Sequence, residues 1–340
     1  MRILTDILIK QSPQWGKETE YLNKNNKLAL KFPFKIKELL IPILETIQII
    51  KRAKRFDVIV TGNIKAAQLF GLFRRIFRID RPKHIVLELM LDEEQDTIFW
   101  RVKRNIQRAA FSKIDVIFVS STHEIDIYSS RFTLPKGCVR FLPFHTNIIE
   151  PGIVEGTEDF ILSAGRTGRD YTTLAAAVKD IDQKVVIVSD SESVKNITFS
   201  SNVEVLCNIP YSHYLDLLHR CRIIVVPLRK LVKSTGQVVV LEAMGLGKPV
   251  ITTSTIGTVD YITDGTNGLL VPVEDPEALK SAILRLYNDI ELYNKIASNA
   301  LESVRENYTF DIYTSRILRT AYEIAGDDMV LKNNINNIRV

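Results

Sequence analysis

Cysteine is scarce in this chain: Cys138, Cys207 and Cys221 are the only three among 340 residues. They are odd in number, far apart and without C-x-x-C spacing, which argues against a disulfide framework and against a cysteine-built zinc site. A reducing, cytoplasmic setting is expected. Long hydrophobic runs are missing as well. The most apolar stretch, "ELLIPILETIQII" (Glu38–Ile50), is interrupted by Pro42 and Glu45 and falls short of the ~20 residues a membrane-spanning helix needs. The opening "MRILTDILIKQSPQW" has too short an apolar run for a signal peptide and no small-residue cleavage site, so no cleaved leader is expected. Neither G-x-G-x-x-G nor a Walker G-x-x-x-x-G-K-[ST] occurs, which weakens dinucleotide and P-loop chemistry. "DID" at Asp180–Asp182 reads as a helix end, so no metal site is expected.

With 46% hydrophobic and 25% charged residues the composition is that of a globular protein, and no repeat of fixed period suggests a solenoid. The length favours two domains of roughly 150 to 190 residues. A surplus of 45 Lys+Arg over 40 Asp+Glu gives a formal charge of +5, and basic residues cluster at Arg74–Arg81 and Arg101–Arg108. Clustered charge points to an anionic partner. It lacks any organised RNA- or DNA-reading motif, so nucleic acid is not expected.

From Phe56 short β-branched runs alternate with longer helical ones: "FDVIVTG", "IKAAQLFGLFRRIFR", "KHIVLELM", "WRVKRNIQRAAFSKI", "DVIFVSS". Continuous apolar strands separated by amphipathic helices predict a parallel sheet covered on both faces. The rhythm breaks at "TNIIEPGIVEGTED" (Thr146–Asp159), an interdomain linker by its Pro, Gly and acidic residues. It restarts with "FILSAG", "KVVIVSD", "VEVLCN" and "RIIVVPL". The predicted organisation is α/β: a Rossmann-like domain over 1–148, a second over 149–310, and a helix with a tail over 311–340 that returns to the first domain. Two doubly wound sheets in tandem suggest a cleft between them, with ligands at the carboxyl ends of the strands.

The loop "SAGRTGRDY" joins the second domain's first strand to its helix. Gly165 would let the backbone approach an anion, the helix N-terminus offers N–H groups, and Arg166 or Arg169 can clamp phosphate oxygens. A plain strand-to-helix turn with solvated arginines is the alternative. A second anion-friendly place is "RKLVKSTGQ", where Lys233 adds positive charge, Ser234 or Thr235 would cap a helix beginning near Ser234–Gly236, and Gly236 and Gln237 join them as candidate donor contacts. That helix carries one carboxylate, Glu242, among apolar residues. It must either face solvent or serve a site, since unpaired burial costs several kcal/mol. Lys248, in Gly-Lys-Pro, reads as a helix stop with its side chain toward the C-terminal dipole.

"VVPL…STGQVVVLEAMGLGKPVITTSTIGTVDYITDGTNGLLVPVEDPEALKSAI" resembles the donor-binding segment of the GT-B, family-4 retaining glycosyltransferases (glycosyl transferases group 1). "SAGRTGRDYTTL" is similar to their Gly-Arg phosphate loop. The resemblance is specific over about Phe160 to Leu286 and architectural over the N-terminal half. It implies a GT-B fold of two Rossmann-like domains facing a central cleft, and a nucleotide-sugar donor without cofactor or metal. In the family's Glu-x7-Glu motif the second Glu falls on Glu242, which would accept hydrogen bonds from the nucleotide ribose. The first falls on Ser234, where the sequence departs from the pattern and the carboxylate facing the donor sugar is missing. Arg166 matches the pyrophosphate-contacting Arg. "IGTVDYI" matches the Gly-Gly-x-x-Glu segment with Gly257 kept, Thr258 for the second Gly and Asp260 for Glu. The basic residue that usually follows has no clean counterpart, and Arg169 or Lys233 would substitute.

For the acceptor, a glycan or a lipid-linked molecule, the helix within Leu69–Lys83 sets Phe70, Phe73 and Phe77 beside Arg74, Arg75, Arg78 and Arg81. Basic residues beside aromatics suit a peripheral contact with an anionic membrane, and a core helix with a solvated basic edge accounts for them equally. Catalytic candidates near strand ends are Glu88, Asp92, His123 and His145. The expected function is transfer of a sugar from a nucleotide-sugar donor with retention, in surface polysaccharide assembly. The alternatives are a non-catalytic binding module, suggested by Ser234, and a sugar-nucleotide epimerase.

Overall fold

The computed structural model describes residues 1–7, 9, 11–22, 33–154 and 157–326. The chain divides into two compact units, Met1–Leu142 with the chain from Tyr313 on, and Pro143–Ile312. The division falls a few residues before the predicted 148/149 boundary for a physical reason. Thr146 N donates to Tyr308 O at 2.7 Å, Asn147 bonds Glu242, and Ile148 packs on the second unit's core. Residues predicted as linker are thus already tied into that unit. The predicted tail over 327–340 lies outside the described residues.

In the first unit, β1 (Ile3–Thr5), β2 (Thr19–Tyr21), β3 (Val58–Thr61), β4 (Lys83–Val86), β5 (Val116–Val119) and β6 (Val139–Phe141) form a parallel sheet of order β2-β1-β3-β4-β5-β6. The strands β3 and β5 are buried along their whole length, as a sheet covered on both faces requires. The helices α2 (Phe34–Arg52), α3 (Ile64–Ile76), α4 (Ile98–Phe111) and α5 (His123–Phe132) follow one another. Right-handed crossovers in one direction along the sheet put all four on one face. The other face receives α1 (Pro13–Glu18) and α11 (Phe310–Ala325), where Thr314 Oγ1 donates to Ser12 Oγ at 3.0 Å and Tyr322 OH to Glu18 at 2.6 Å.

Pro42 does not break its helix. α2 runs through it, and the Thr46 hydroxyl donates back to Pro42 O at 2.7 Å. Glu45, on the same helix, is buried and accepts from Asn63 Nδ2. No described helix is long and apolar enough to cross a membrane.

The second unit holds β7 (Phe160–Ala164), β8 (Lys184–Ser189), β9 (Val203–Cys207), β10 (Ile223–Val226), β11 (Val250–Thr253) and β12 (Leu269–Val271), in order β12-β11-β10-β7-β8-β9 and parallel throughout. Its helices are α6 (Tyr171–Ala177), α7 (Tyr211–Arg220), α8 (Gln237–Gly245), α9 (Pro276–Asn288) and α10 (Ile290–Asn307). Asp275 caps α9 by accepting from Ala278 N at 2.9 Å, with Pro276 in the first turn, the arrangement its sequence encodes. Connections run outward in both directions from β7 and β10, which makes that pair the topological switch point where such sheets bind ligands.

Candidate functional site

At that switch point the carboxyl ends of β7 and β8, the segment after β9 and the first turns of α7 and α8 enclose a cavity of about 460 Å³, lined among others by Gly165, Arg166, Ser189, Asn208, Tyr211 and Glu242. The size falls within the range of small-molecule sites.

Its floor is the five-residue turn Gly165–Arg169. Gly165 sits at φ +115° with the Arg169 guanidinium directly over its Cα, so a side chain there would be both strained and displaced. Its carbonyl accepts from Tyr171 OH at 2.6 Å and Ser189 Oγ at 2.8 Å. The turn is further pinned to the segment after β10, since Arg229 N donates to Gly168 O at 2.8 Å and Asp170 N to Pro227 O at 3.0 Å.

The two arginines part company. Arg166 is exposed and lines the cavity. Arg169 is buried, donating from Nε to Ala164 O at 2.7 Å and from Nη1 to Thr167 O at 3.1 Å. The predicted direct phosphate clamp at Arg169 is therefore corrected to a cation that shapes the loop from beneath. Burial lowers its pKa, and among the described residues no carboxylate forms an ion pair with it. A buried positive charge balanced only by carbonyls favours an anion nearby.

α8 is buried on nearly every side, with only Val238 of its nine residues exposed. Its N-cap is neither Ser234 nor Thr235 but Gly236, in the left-handed region at φ 96° and without a side-chain cap bond. A Cβ there would also meet Leu228 Cδ1 at 2.9 Å, so glycine is required and the cap supplies no acceptor to the first N–H groups of the helix. Ser234, Thr235 and Gln237 are buried, Lys233 is half-buried, and none of the four lines the cavity. Gln237 Nε2 has no hydrogen-bond partner among the described residues. Gly257 packs on the Thr235 backbone, while the Thr258 hydroxyl donates to Thr253 O at 2.6 Å within its own turn.

Glu242 is fully buried, which excludes the solvated-carboxylate alternative. Oε1 accepts from Asn147 Nδ2 at 2.7 Å and Tyr211 OH at 2.7 Å, and Oε2 accepts from Tyr214 OH at 2.8 Å. Burial and the Glu242 charge raise the pKa of both phenols, so they remain donors. A carboxylate has about four acceptor positions. Three protein donors leave capacity for a ligand hydroxyl on the cavity side.

Asn147, Ser189, Asn208, Tyr211 and Tyr214 were not among the sequence candidates. The two tyrosines had a legible signal, since an i, i+3 pair in the first turn of a helix presents both phenols to one side. Asn147 had none, because its partner is 95 positions away.

The remaining candidates scatter. Glu88, just beyond β4 at φ 53°, has its pKa raised by burial and accepts from Tyr313 OH at 2.6 Å. Asp92 is exposed, and its carbonyl accepts from Arg131 Nη1 at 3.3 Å. His123 is the exposed first residue of α5. His145 stacks between Phe144 and Phe310, centroids 4.7 and 4.0 Å away, and burial pulls its pKa down to about 4, an arrangement for packing as neutral imidazole. Lys248 is enclosed, its pKa lowered by burial and its ammonium without a hydrogen-bond partner among the described residues, rather than satisfied at a helix end.

Comparison with known proteins extends this geometry. Residues 160–289 match the model of the family described as Glycosyl transferases group 1. An uncharacterized glycosyltransferase of Methanocaldococcus jannaschii is 33% identical over 156 residues, 44% of each chain. The chain spans less than half the length of the first curated relatives it matches. Among solved structures, the sucrose-phosphate synthase of Thermosynechococcus elongatus superposes with a TM-score of 0.69 at 19% identity, over 91% of this chain and 84% of that one. The Anabaena protein HepE in complex with UDP-glucose gives 0.66 at 14% identity, over 95% and 100%. At these identities the likeness shows the fold, which is GT-B.

Proposed function

Residues 160–289 match the family described as Glycosyl transferases group 1, and from that premise we propose that the chain transfers a sugar from a nucleotide-sugar donor, seated in the Glu242 cavity, to a glycan or lipid-linked acceptor. The observation that carries this reading is the pairing of a cation-rich turn with a restrained acceptor in one cavity. Arg166 lies at the surface of the turn and Arg169 beneath it, while Glu242 is held by three protein donors. The diphosphate sits over the Gly165–Arg169 turn and the start of α8. The charge developing on the departing nucleoside diphosphate is stabilised there by fixed donors and dipoles. Lys233, half-buried and outside the cavity lining, adds positive charge at longer range. The free capacity of Glu242 accepts from the ribose, which orients the donor. No metal or cofactor is invoked, and the anomeric configuration is retained. Ser234, in place of a carboxylate, shapes the choice of sugar.

A lipid-linked acceptor in surface polysaccharide assembly places the protein in the cytoplasm at a membrane, with the Leu69–Lys83 region as contact. The UDP-glucose held by the Anabaena protein makes UDP-sugars the first donors to try. Release of nucleoside diphosphate is followed for a panel of sugar nucleotides, with and without glycan and polyprenyl-phosphate acceptors. Turnover of one donor that rises with acceptor supports the reading. Binding without turnover of any donor would return the chain to the non-catalytic alternative.

A further inference from the structure

The helix singled out for membrane contact is divided by the structure. Phe70 is core and Arg74 is buried, bonding Lys113 O at 2.6 Å and Asp115 at 3.1 Å, so α3 with its C-cap residue Phe77 exposes only Leu69, Ile76 and Phe77 as large apolar side chains. Its neighbours on either side expose more. On α4, Ile98 is 80% exposed, Phe99 71%, Val102 53% and Ile106 52%. At 100° per residue these four fall within roughly 100° of arc. Lys103 borders the arc on one side, Arg101 and Arg108 on the other. α4 holds four basic residues and no acidic one. On α2, Ile36, Leu39, Ile43 and Ile47 are exposed and fall within roughly 80°, bordered by Lys35 and Lys37. Because α2, α3 and α4 lie side by side on one face of the sheet, the stripes of α2 and α4 flank the exposed Leu69 and Ile76 of α3, with basic residues between and beside them.

We propose that this surface, centred on α2 and α4, docks on an anionic lipid bilayer. This deepens the membrane part of the proposed function and rests on it. Exposed apolar residues on three adjacent helices exceed the scattered ones that need no explanation. In-plane helices of this kind insert their apolar side while flanking Lys and Arg meet lipid phosphates. A second copy of the chain is the poorer occupant, since it would set the cations of α4 and the Arg75–Arg78–Arg81 edge against their own kind. The nearby acids do not reverse this. Asp96 pairs with Arg101 in an exposed ion pair that contributes little, and the half-buried Glu94 is shared between Arg104 and Arg131, while Lys103, lying over the Trp100 ring at 3.9 Å, and Arg108 are outside those pairs.

The test is co-sedimentation of the full chain with vesicles of phosphatidylcholine mixed with phosphatidylglycerol, against phosphatidylcholine alone. Binding is expected to the anionic vesicles, to weaken with salt, and to fall about tenfold in a Phe99→Ser/Val102→Ser variant and in a Lys103→Glu/Arg108→Glu variant. A nucleotide-induced thermal shift on each variant verifies that it is folded. Retained binding in both variants, with loss only on changing Phe77 and Arg78, would overturn the α2–α4 surface and leave membrane contact standing. No binding of the unmodified chain would overturn both, without touching the transferase reading, which the nucleotide shift reports separately. Concentration-dependent dimerisation abolished by the same variants, without vesicle binding, would overturn the proposal in favour of a second copy.

Discussion

Glu242 shows how one side chain depends on its neighbours. Its Oε2 relies on Tyr214 as its protein donor, so Tyr214→Phe leaves a buried carboxylate short of a hydrogen bond. A loss of about 1–3 kcal/mol is expected, measured by urea denaturation, together with weaker nucleotide binding. Tyr211→Phe, nearer the surface, should cost less stability. His145 sets a pH dependence. Its folded-state pKa is near 4 against an ordinary 6.5, so the unfolded chain binds the extra proton between those values. Its contribution is full above about pH 6.5, falls as pH drops toward 4 and is flat below. Urea midpoints across that window should decline, and His145→Phe should shallow the slope; an unchanged slope would remove His145 from the account. His84, lowered by burial to about 3, extends the decline further down. Glu242 itself was legible in the sequence, as a carboxylate among apolar neighbours ahead of Gly-Lys-Pro. Asn147, which holds it, was not, because a hydrogen bond across 95 positions leaves no local pattern.

Among elements, legibility followed periodicity and failed where tertiary packing decided. The strands from β3 to β12 announce themselves as short apolar runs between turn residues. On α8 the sequence leaves open whether Glu242 faces solvent or a site, and the enclosure of the helix by the sheet and α10 decides it. α2 was legible only as an apolar stretch too short to span a membrane; that it runs as one helix through Pro42, with the Thr46 hydroxyl on Pro42 O and its side packed on α3, is a matter of tertiary structure. Arg169 was read with Arg166 as a clamp. Sequence spacing cannot say which of two arginines turns inward, and the loop carbonyls decide it. Arg169→Met should therefore act on the loop rather than on one phosphate contact. Nucleotide affinity is expected to fall more than about tenfold, with a lowered melting temperature, whereas Arg166→Ala should weaken binding and leave melting of the free protein unchanged. Equal melting temperatures for the two variants would contradict the division of labour.

At the scale of the whole molecule, two parallel sheets of six strands were predictable as α/β from the alternation of runs, and GT-B from the resemblance of Phe160–Leu286 to known donor-binding segments. The boundary was less legible, since Thr146–Asp159 looks like a linker while Thr146 and Asn147 belong to the second unit. The first unit also depends on distant sequence. Truncation after Ile312 removes Tyr313, Ile317, Leu318, Ala321 and Tyr322 from its core, an expected loss of more than about 5 kcal/mol to that unit. Nucleotide binding should survive in the second, as calorimetry with and without nucleotide would show. The central claim is that the Glu242 cavity holds a nucleoside diphosphate. Its most direct test is isothermal titration of UDP, GDP and ADP into the unmodified chain, Arg166→Ala and Glu242→Ala. The account predicts that one of the three binds, and that each substitution weakens it at least about tenfold, or ~1.4 kcal/mol. Binding untouched by both substitutions, or no binding of any of the three, would contradict it.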